Sequence, residues 1–148
     1  MKKNLILLLL AAATVITSCS KDDDDNNTGG GGGGITPVTN TSKLCNKNWK
    51  LLSFKVNGID VTSQLFQPCE LDGFTRFLTD NTYTADEGPT LCDPADPQTT
   101  TGAWSWAAGE TKLVVDGDTT NVLTNSGTSL KLGLTDPSLG TAELTFGL

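Results

Sequence analysis

Residues 128–148 read TSLKLGLTDPSLGTAELTFGL and contain two stretches in which apolar and polar side chains alternate strictly. Every second residue from Leu130 to Leu134 is leucine, and every second residue from Ala142 to Leu148 is apolar. Because successive side chains of a strand point to opposite faces, this period of two predicts strands with one buried and one solvated face. That arrangement is typical of an antiparallel sheet.

Similar strand signals, separated by turn residues, recur along the chain from Trp49 onward. The segment 59–66 is ambiguous between a strand and a helical turn begun by Thr62. Sequential turns favour a meander, and closing the meander removes the exposed edges of an open sheet. The sequence therefore predicts an all-β fold with about eight strands in an antiparallel up-and-down barrel. The other predicted strands are Trp49–Val56, Gly73–Thr79, Thr82–Asp86, Gly102–Ala107, Lys112–Asp116 and Thr119–Thr124.

The first 18 residues have the pattern of a bacterial signal peptide. Lys2 and Lys3 are followed by an apolar run, 5–13, that is shorter than the roughly 20 residues of a membrane span. The sequence ITSC ending at Cys19 resembles the lipobox of bacterial lipoproteins, which implies lipidation of Cys19 and removal of residues 1–18. An ordinary secretory signal with a chance cysteine is the alternative.

Residues 19–40 are predicted to form a disordered tether, because their acidic and glycine-rich composition cannot bury a core. The acidic run of residues 22–25 resembles the export signal of some surface lipoproteins, and its alternative is a solvated charged neck. The resemblance implies a lipid-anchored protein of the outer membrane that faces the cell exterior. Residues 41–148 remain as one domain.

Composition restricts the class of function. The formal charge is −7, and loss of Lys2 and Lys3 makes the chain more negative. With one arginine and no basic cluster, the chain is not suited to nucleic acid. Histidine is absent, which removes the usual general base, metal ligand and triad partner. We therefore expect no catalytic residues, no metal and no cofactor; a hydrolase with paired carboxylates would need two facing acids in one cleft.

The cysteine count predicts one disulfide bond. With Cys19 lipidated, three cysteines remain in an oxidising compartment. We favour Cys69–Cys92, because both residues lie in turn-like segments that flank a predicted hairpin. Cys45 is then buried, unpaired or an alternative partner. A three-cysteine zinc site is disfavoured because no CxxC spacing occurs.

Motifs between residues 48 and 106 occur in a fixed order. They are Trp49 in the first strand, the Asn57-Gly58 turn, Cys69, DNTYT at 80–84, Cys92 and GAWS at 102–105. This order resembles the small lipocalin-like domains of bacterial surface lipoproteins, which have a DGTYT-like turn and a GTW strand. Asn81 and Ala103 depart from that pattern, and Cys45 is additional. The resemblance covers about half of the domain and implies a barrel that holds a small hydrophobic molecule.

Five residues are candidates for a ligand site. Trp104 and Trp106 share a strand face, and Phe77 and Tyr83 lie in the adjacent predicted hairpin, so these aromatics could line a pocket or simply fill the core. Arg76 alternates with apolar residues on a face expected to be buried. It could receive a ligand carboxylate, or it could pack on an indole at the base of the barrel.

The favoured function is that of a cell-surface lipoprotein whose barrel binds a small hydrophobic or amphipathic ligand, and we expect the protein to be a monomer. In that interpretation the apolar body of the ligand contacts Trp104, Trp106 and Phe77, and Tyr83 or Arg76 orients the ligand. The alternative is a filled barrel that acts as an interaction module for a protein or a glycan. An interior cavity well below about 300 Å³ would favour the alternative.

Overall fold

The computed structural model describes residues 39–138 and 140–148. The predicted signal peptide, the predicted lipidation site Cys19 and nearly all of the predicted tether lie outside these residues. The three short helices in the described ranges include none that is long and apolar enough to cross a membrane. In chain order, the elements are α1 (Asn40–Leu44), β1 (Lys50–Val56), β2 (Ile59–Asp60), α2 (Thr62–Leu65), α3 (Pro68–Leu71), β3 (Phe74–Phe77), β4 (Thr82–Asp86), β5 (Thr99–Ala107), β6 (Lys112–Val115), β7 (Asp118–Asn125), β8 (Ser129–Asp136) and β9 (Gly140–Gly147).

The strands form one antiparallel sheet in the order β2-β1-β9-β8-β7-β6-β5-β4-β3. From β3 to β9 each strand pairs with the next one in sequence, as in a meander. The sheet closes where Trp49 and Thr75 exchange two backbone hydrogen bonds of 2.9 Å, which join the start of β1 to β3. The wall therefore has eight strands, with β2 as a short hairpin partner of β1. This confirms the predicted all-β up-and-down barrel.

Two tight turns share one pattern, in which asparagine or aspartate precedes a glycine. Asn57 and Gly58 have φ values of 50° and 81°, and Asp116 and Gly117 have φ values of 50° and 93°. Two consecutive left-handed residues form the hairpin turn whose twist matches that of the flanking strands. Asparagine and aspartate tolerate this conformation better than other side chains, and glycine adopts it without steric cost.

Several element boundaries differ from the predicted ones. β5 begins at Thr99, three residues before the predicted Gly102, because Thr99–Thr101 continue the pairing with β4. The ambiguous segment 59–66 divides into β2 and α2. Helices α1 and α3 are not predicted, since a helix of one turn is too short to show a periodic pattern. Helix α1 begins at Asn40, one residue before the predicted start of the domain, and Thr39 caps it by accepting a hydrogen bond from the Ser42 amide.

Helix α1 closes one end of the barrel. Leu44 is fully buried, and Leu44 O accepts a 2.8 Å hydrogen bond from the indole N–H of Trp49. Thr41 Oγ1 accepts a 2.9 Å bond from the indole N–H of Trp106, and Asn125 donates a 2.9 Å bond to the carbonyl of Asn40. Three strands or their ends thus hold the helix in place. We call this the closed end.

The opposite end carries the longer connections, and we call it the open end. Helices α2 and α3 join β2 to β3 there, and the loop 87–98 joins β4 to β5. The disulfide Cys69–Cys92 links α3 to this loop with a Cα–Cα distance of 5.4 Å. The predicted pairing is confirmed, and Cys45 is buried and unpaired at the closed end. Burial, followed by the charge of Asp80, raises the pKa of the Cys45 thiol.

Candidate functional site

Four of the five predicted site residues form a continuous row of rings inside the barrel. The ring centroids of Tyr83 and Phe77 are 6.2 Å apart, those of Phe77 and Trp104 5.7 Å, and those of Trp104 and Trp106 5.6 Å. Phe77 pairs with Tyr83 across β3 and β4, and residues paired across an antiparallel ladder share a face. The row runs from Trp106, at the closed end, toward Tyr83.

The fifth predicted residue, Arg76, is not part of this row. Arg76 pairs with Thr84 and is exposed, whereas its neighbour Phe77 is 5% exposed and faces the interior. The prediction that Arg76 lies on a buried face is therefore wrong. The reason is the period of two: the inward face of β3 carries Thr75 and Phe77, so Arg76 must point outward.

The two indoles of the row belong to the closed end. The N–H of Trp104 donates a 2.9 Å hydrogen bond to the carbonyl of Leu78, and Trp106 bonds to Thr41 in α1. Trp104 is 3% exposed and packs against a core that includes Leu44 and Leu113. Both indole donors are thus used by the protein itself, as expected for buried tryptophan. These indoles form the floor of the barrel interior.

Exposure of the inward-facing side chains increases from the closed end to the open end. Along β8, Leu130 is 1% exposed, Leu132 is 7% exposed and Leu134 is only partly buried. Along β6, Leu113 is completely buried and Val115 is partly buried. The interior is therefore packed tightly around α1 and less tightly toward the open end. The apolar side chains there were visible in the alternating pattern of β8, but they were not singled out as site residues.

A polar pair lies on this inward face at the Tyr83 end of the row of rings. The hydroxyl of Tyr83 donates a 2.5 Å hydrogen bond to Asp116 Oδ2, and Asp116 Oδ1 accepts a 3.0 Å bond from the Ala103 amide. Burial, together with the hydrogen bond to Asp116 and its charge, raises the pKa of Tyr83 to about 12. Asp116 is exposed, so the pair stands where the interior meets solvent.

Gly102 makes room for the pair. Gly102 lies opposite Tyr83 on the inward face of β5, and a Cβ at this position would overlap both the Tyr83 ring and the Asp116 carboxylate. Its φ is not left-handed, so the requirement for glycine here is one of space. No local pattern indicates this role for Asp116, because its partner Tyr83 lies 33 residues away.

A separate cleft of about 440 Å³ lies on the outer face of the barrel. Gly133 is at its floor, paired with Asn121 on β7 and Glu143 on β9. Lys55 pairs with Glu143, and the exposed Leu123 borders the cleft above Gly133. These residues occupy the outward positions of their strands. Leu134 and Ala142, at inward positions, also line the cleft, whereas none of the five predicted site residues does.

In residues 39–138 and 140–148, no group of three or more cysteine, aspartate or glutamate side chains is arranged to hold a metal ion. The acids of the loop 87–98 lie at the open end. Asp93 Oδ1 accepts a 2.9 Å hydrogen bond from the Ala95 amide, and Asp86 Oδ1 accepts bonds from Gly88 and Gln98. These bonds are those of loop-forming side chains.

No family model and no curated protein matches this chain. Among solved structures, it is similar to Japanin from Rhipicephalus appendiculatus bound to cholesterol. The identity is 18% and the TM-score is 0.44, over 72% of this chain and 77% of that one. A likeness of this degree is too distant to inform the function of this chain.

Proposed function

We propose that this chain is a lipid-anchored protein of the outer membrane, facing the cell exterior, whose barrel binds a small hydrophobic or amphipathic molecule through its open end. The observation that carries the binding proposal is the increase in exposure along the inward face of β8, from Leu130 to Leu134. Apolar side chains that face the interior without being fully packed provide a surface for the apolar body of a ligand.

The proposed ligand lies above the indole floor. The walls of the proposed site are Val115, Leu132 and Leu144, and the Tyr83–Asp116 pair lies at the edge of this site. Burial of a methylene group contributes about 0.8 kcal/mol, and micromolar affinity corresponds to about 8.2 kcal/mol. A chain of about ten to twelve methylenes is therefore the smallest apolar body expected to bind measurably, since association itself costs several kcal/mol.

Titration with the neutral fluorescent probe N-phenyl-1-naphthylamine tests this proposal. Two neighbouring residues of β6 provide matched variants, because Val115 faces the interior and Val114 faces outward. We expect saturable binding to the wild-type protein, a loss of about tenfold in affinity for Val115→Phe, and no more than a small change for Val114→Phe. Equal binding by all three proteins would place the probe outside the barrel and contradict the proposal.

The anchor is supported by the sequence alone, through the signal-peptide pattern and the ITSC motif that ends at Cys19. Two or three acyl chains would hold the protein to the membrane essentially permanently. Metabolic labelling with palmitate tests it: the label should be lost in Cys19→Ala and retained in Cys45→Ala. Protease treatment of intact cells tests the exterior location. Replacing Asp22–Asp25 with asparagine should then protect the protein from the protease.

The cleft above Gly133 favours a second candidate function, the recognition of a glycan by the outer face of a filled barrel. The cleft presents an amide at Asn121, a carboxylate at Glu143 and an ammonium group at Lys55, which together can donate to and accept from sugar hydroxyls. A glycan-array signal that is lost in Asn121→Ala would support this function. The signal should persist in Thr119→Ala, on the outward face of the same strand, and in Val115→Phe.

A further inference from the structure

The segment between β2 and β3 lies along the edge of β1 that faces β3. Within the described residues, β1 and β3 are hydrogen-bonded only at the bridge that closes the sheet, which lies toward the closed end. Farther along β1, residues 61–72 take the place of a strand partner. The Val61 amide donates a 2.9 Å hydrogen bond to the Phe54 carbonyl, and the Phe54 amide donates a 2.7 Å bond to Thr62 Oγ1. We call residues 61–72 the strap.

The other side of the strap is attached to the loop 87–98. The disulfide Cys69–Cys92 joins α3 to this loop with a Cα–Cα distance of 5.4 Å. The strap is thus held at both sides, by hydrogen bonds to β1 and by a covalent bond to the loop. Residues 63–68 lie between these two attachments, so this part can shift without release of the strap from the barrel.

Phe66 is the side chain by which the strap covers the interior. Its ring lies edge-on to that of Phe54, with the centroids 5.9 Å apart and the planes at 83°. Phe54 is 2% exposed and pairs with Leu144, a wall residue of the proposed site, so Phe54 faces the interior. Phe66 is itself 9% exposed, whereas the preceding Leu65 is 43% exposed. Phe66 therefore covers this wall of the proposed site from the side of the strap.

The strap packs apart from the core of the closed end. Among the described residues, the buried core that surrounds Leu44 and Trp104 contains neither Phe54 nor Phe66. Helices α2 and α3 are each four residues long, and a helix of one turn has little stability of its own. Displacement of Phe66 therefore costs mainly its contact with Phe54 and leaves the indole floor in place. Segments with few packed contacts are the first to open.

We propose that Phe66 is the gate of the ligand site, and that the ligand enters and leaves between β1 and β3 when this ring moves away from Phe54. This inference rests on the proposed function, since it concerns the route to the same site. The disulfide holds α3 while the gate is open and so limits the opening to the part of the strap that carries Phe66. A lower barrier at a gate accelerates entry and exit alike, because it does not change the free energies of the bound and free states.

Stopped-flow fluorescence with N-phenyl-1-naphthylamine measures this barrier. The observed rate, plotted against probe concentration, gives the association rate constant as its slope and the dissociation rate constant as its intercept. Phe66→Ala should raise both constants by about tenfold, the equivalent of about 1.4 kcal/mol, and should change the dissociation constant by less than about threefold. Leu65→Ala, at the exposed neighbouring position, is the matched control and should leave both rate constants unchanged.

Reduction of the disulfide provides a second measurement that keeps the Phe66 side chain. A strap that is released from the loop 87–98 should open more often, so a reductant should raise both rate constants of the wild-type protein by about threefold. The double variant Cys69→Ala, Cys92→Ala should have the raised constants without reductant and should not respond to it. Far-ultraviolet circular dichroism shows whether each protein is folded, and this measurement decides the question if Phe66→Ala does not fold.

The possible outcomes separate the gate from the proposed function. If the probe binds inside the barrel, as judged from Val115→Phe, and Phe66→Ala has the same rate constants as Leu65→Ala, the gate is overturned and the binding site stands. A change in the dissociation rate constant alone would make Phe66 a wall residue and overturns the gate as well, and so do unchanged wild-type constants after reduction. If the probe does not bind inside the barrel, the proposed function fails and the gate fails with it.

Discussion

The Tyr83 hydroxyl lies 2.5 Å from Asp116 Oδ2 and joins β4 to the turn between β6 and β7. The two residues are 33 positions apart in the chain, so the bond forms only when β4, β5 and β6 have paired. It crosses β5 at Gly102, the one inward position of that strand where a side chain would obstruct it. The pair is therefore both a product of the fold and a link between three of its strands.

The titration of Tyr83 should be displaced to high pH. Tyr83 is the sole tyrosine, and its pKa is raised to about 12 in the folded protein from an ordinary value of 10.0. A raised pKa stabilises the fold fully below pH 10, and this contribution is lost as the pH rises through about 12. Ultraviolet absorbance of the phenolate measures the midpoint directly. Asp116→Asn should lower the midpoint, whereas Asp118→Asn should not.

Gly102→Ala should destabilise the barrel and break the pair. The added methyl group overlaps both the Tyr83 ring and the Asp116 carboxylate, so one of them must move. We expect a loss of about 1–3 kcal/mol in the free energy of unfolding, as for other overpacked sites, together with a lower pKa of Tyr83. Ser105→Ala, at an exposed position of the same strand, is the control. Unchanged stability and an unchanged Tyr83 titration would show that the glycine is dispensable.

Removal of the disulfide should affect the stability of the open end. The bridge joins residues 23 positions apart, and closure of a loop of this length contributes roughly 3 kcal/mol in the chain-entropy model. Denaturant unfolding of the double variant Cys69→Ala, Cys92→Ala should show a loss of this size, and a reductant should produce the same loss in the wild type. The reductant should have no effect on the double variant. A reductant effect there would indicate a different disulfide pairing.

The hydrogen bond between α1 and Trp106 should contribute to closure of the barrel. Thr41→Val removes the acceptor of the Trp106 indole and leaves a partly buried N–H group unpaired. The expected cost is about 1–2 kcal/mol in the free energy of unfolding. Thr41→Ser keeps the hydroxyl and should retain most of the stability. Unchanged stability of Thr41→Val would show that this hydrogen bond contributes nothing to closure of the barrel.

The sequence predicts the fold better than it predicts the site, and particular residues show why. Strand positions follow from local alternation, which is why Leu130–Leu134 indicated β8 and its buried face correctly. Arg76 was assigned to the wrong face because a strand as short as β3 contains too few residues to fix its phase. One residue of error in phase moves every side chain to the opposite face.

Local sequence patterns do not predict contacts between distant parts of the chain. Asp116 next to a glycine is sufficient to predict a turn, and nothing near it indicates a bond to Tyr83. Helix α1 was missed because the five residues NTSKL show no periodicity, although Thr39 is a good capping residue. Its place in the fold depends on partners such as Trp106 and Asn125, which only the folded barrel brings near it.

The barrel wall is weakest between β1 and β3, where Trp49 and Thr75 close the sheet. β8 and β9 pair along eight successive positions, whereas β1 and β3 meet at this single bridge. Beyond the bridge, β1 pairs with β2, and its Phe54 amide donates a 2.7 Å hydrogen bond to the Thr62 hydroxyl. Local opening of the wall therefore begins between β1 and β3, because two backbone hydrogen bonds are all that must break between these strands. The Trp49 and Thr75 amides will exchange with solvent before those of β8.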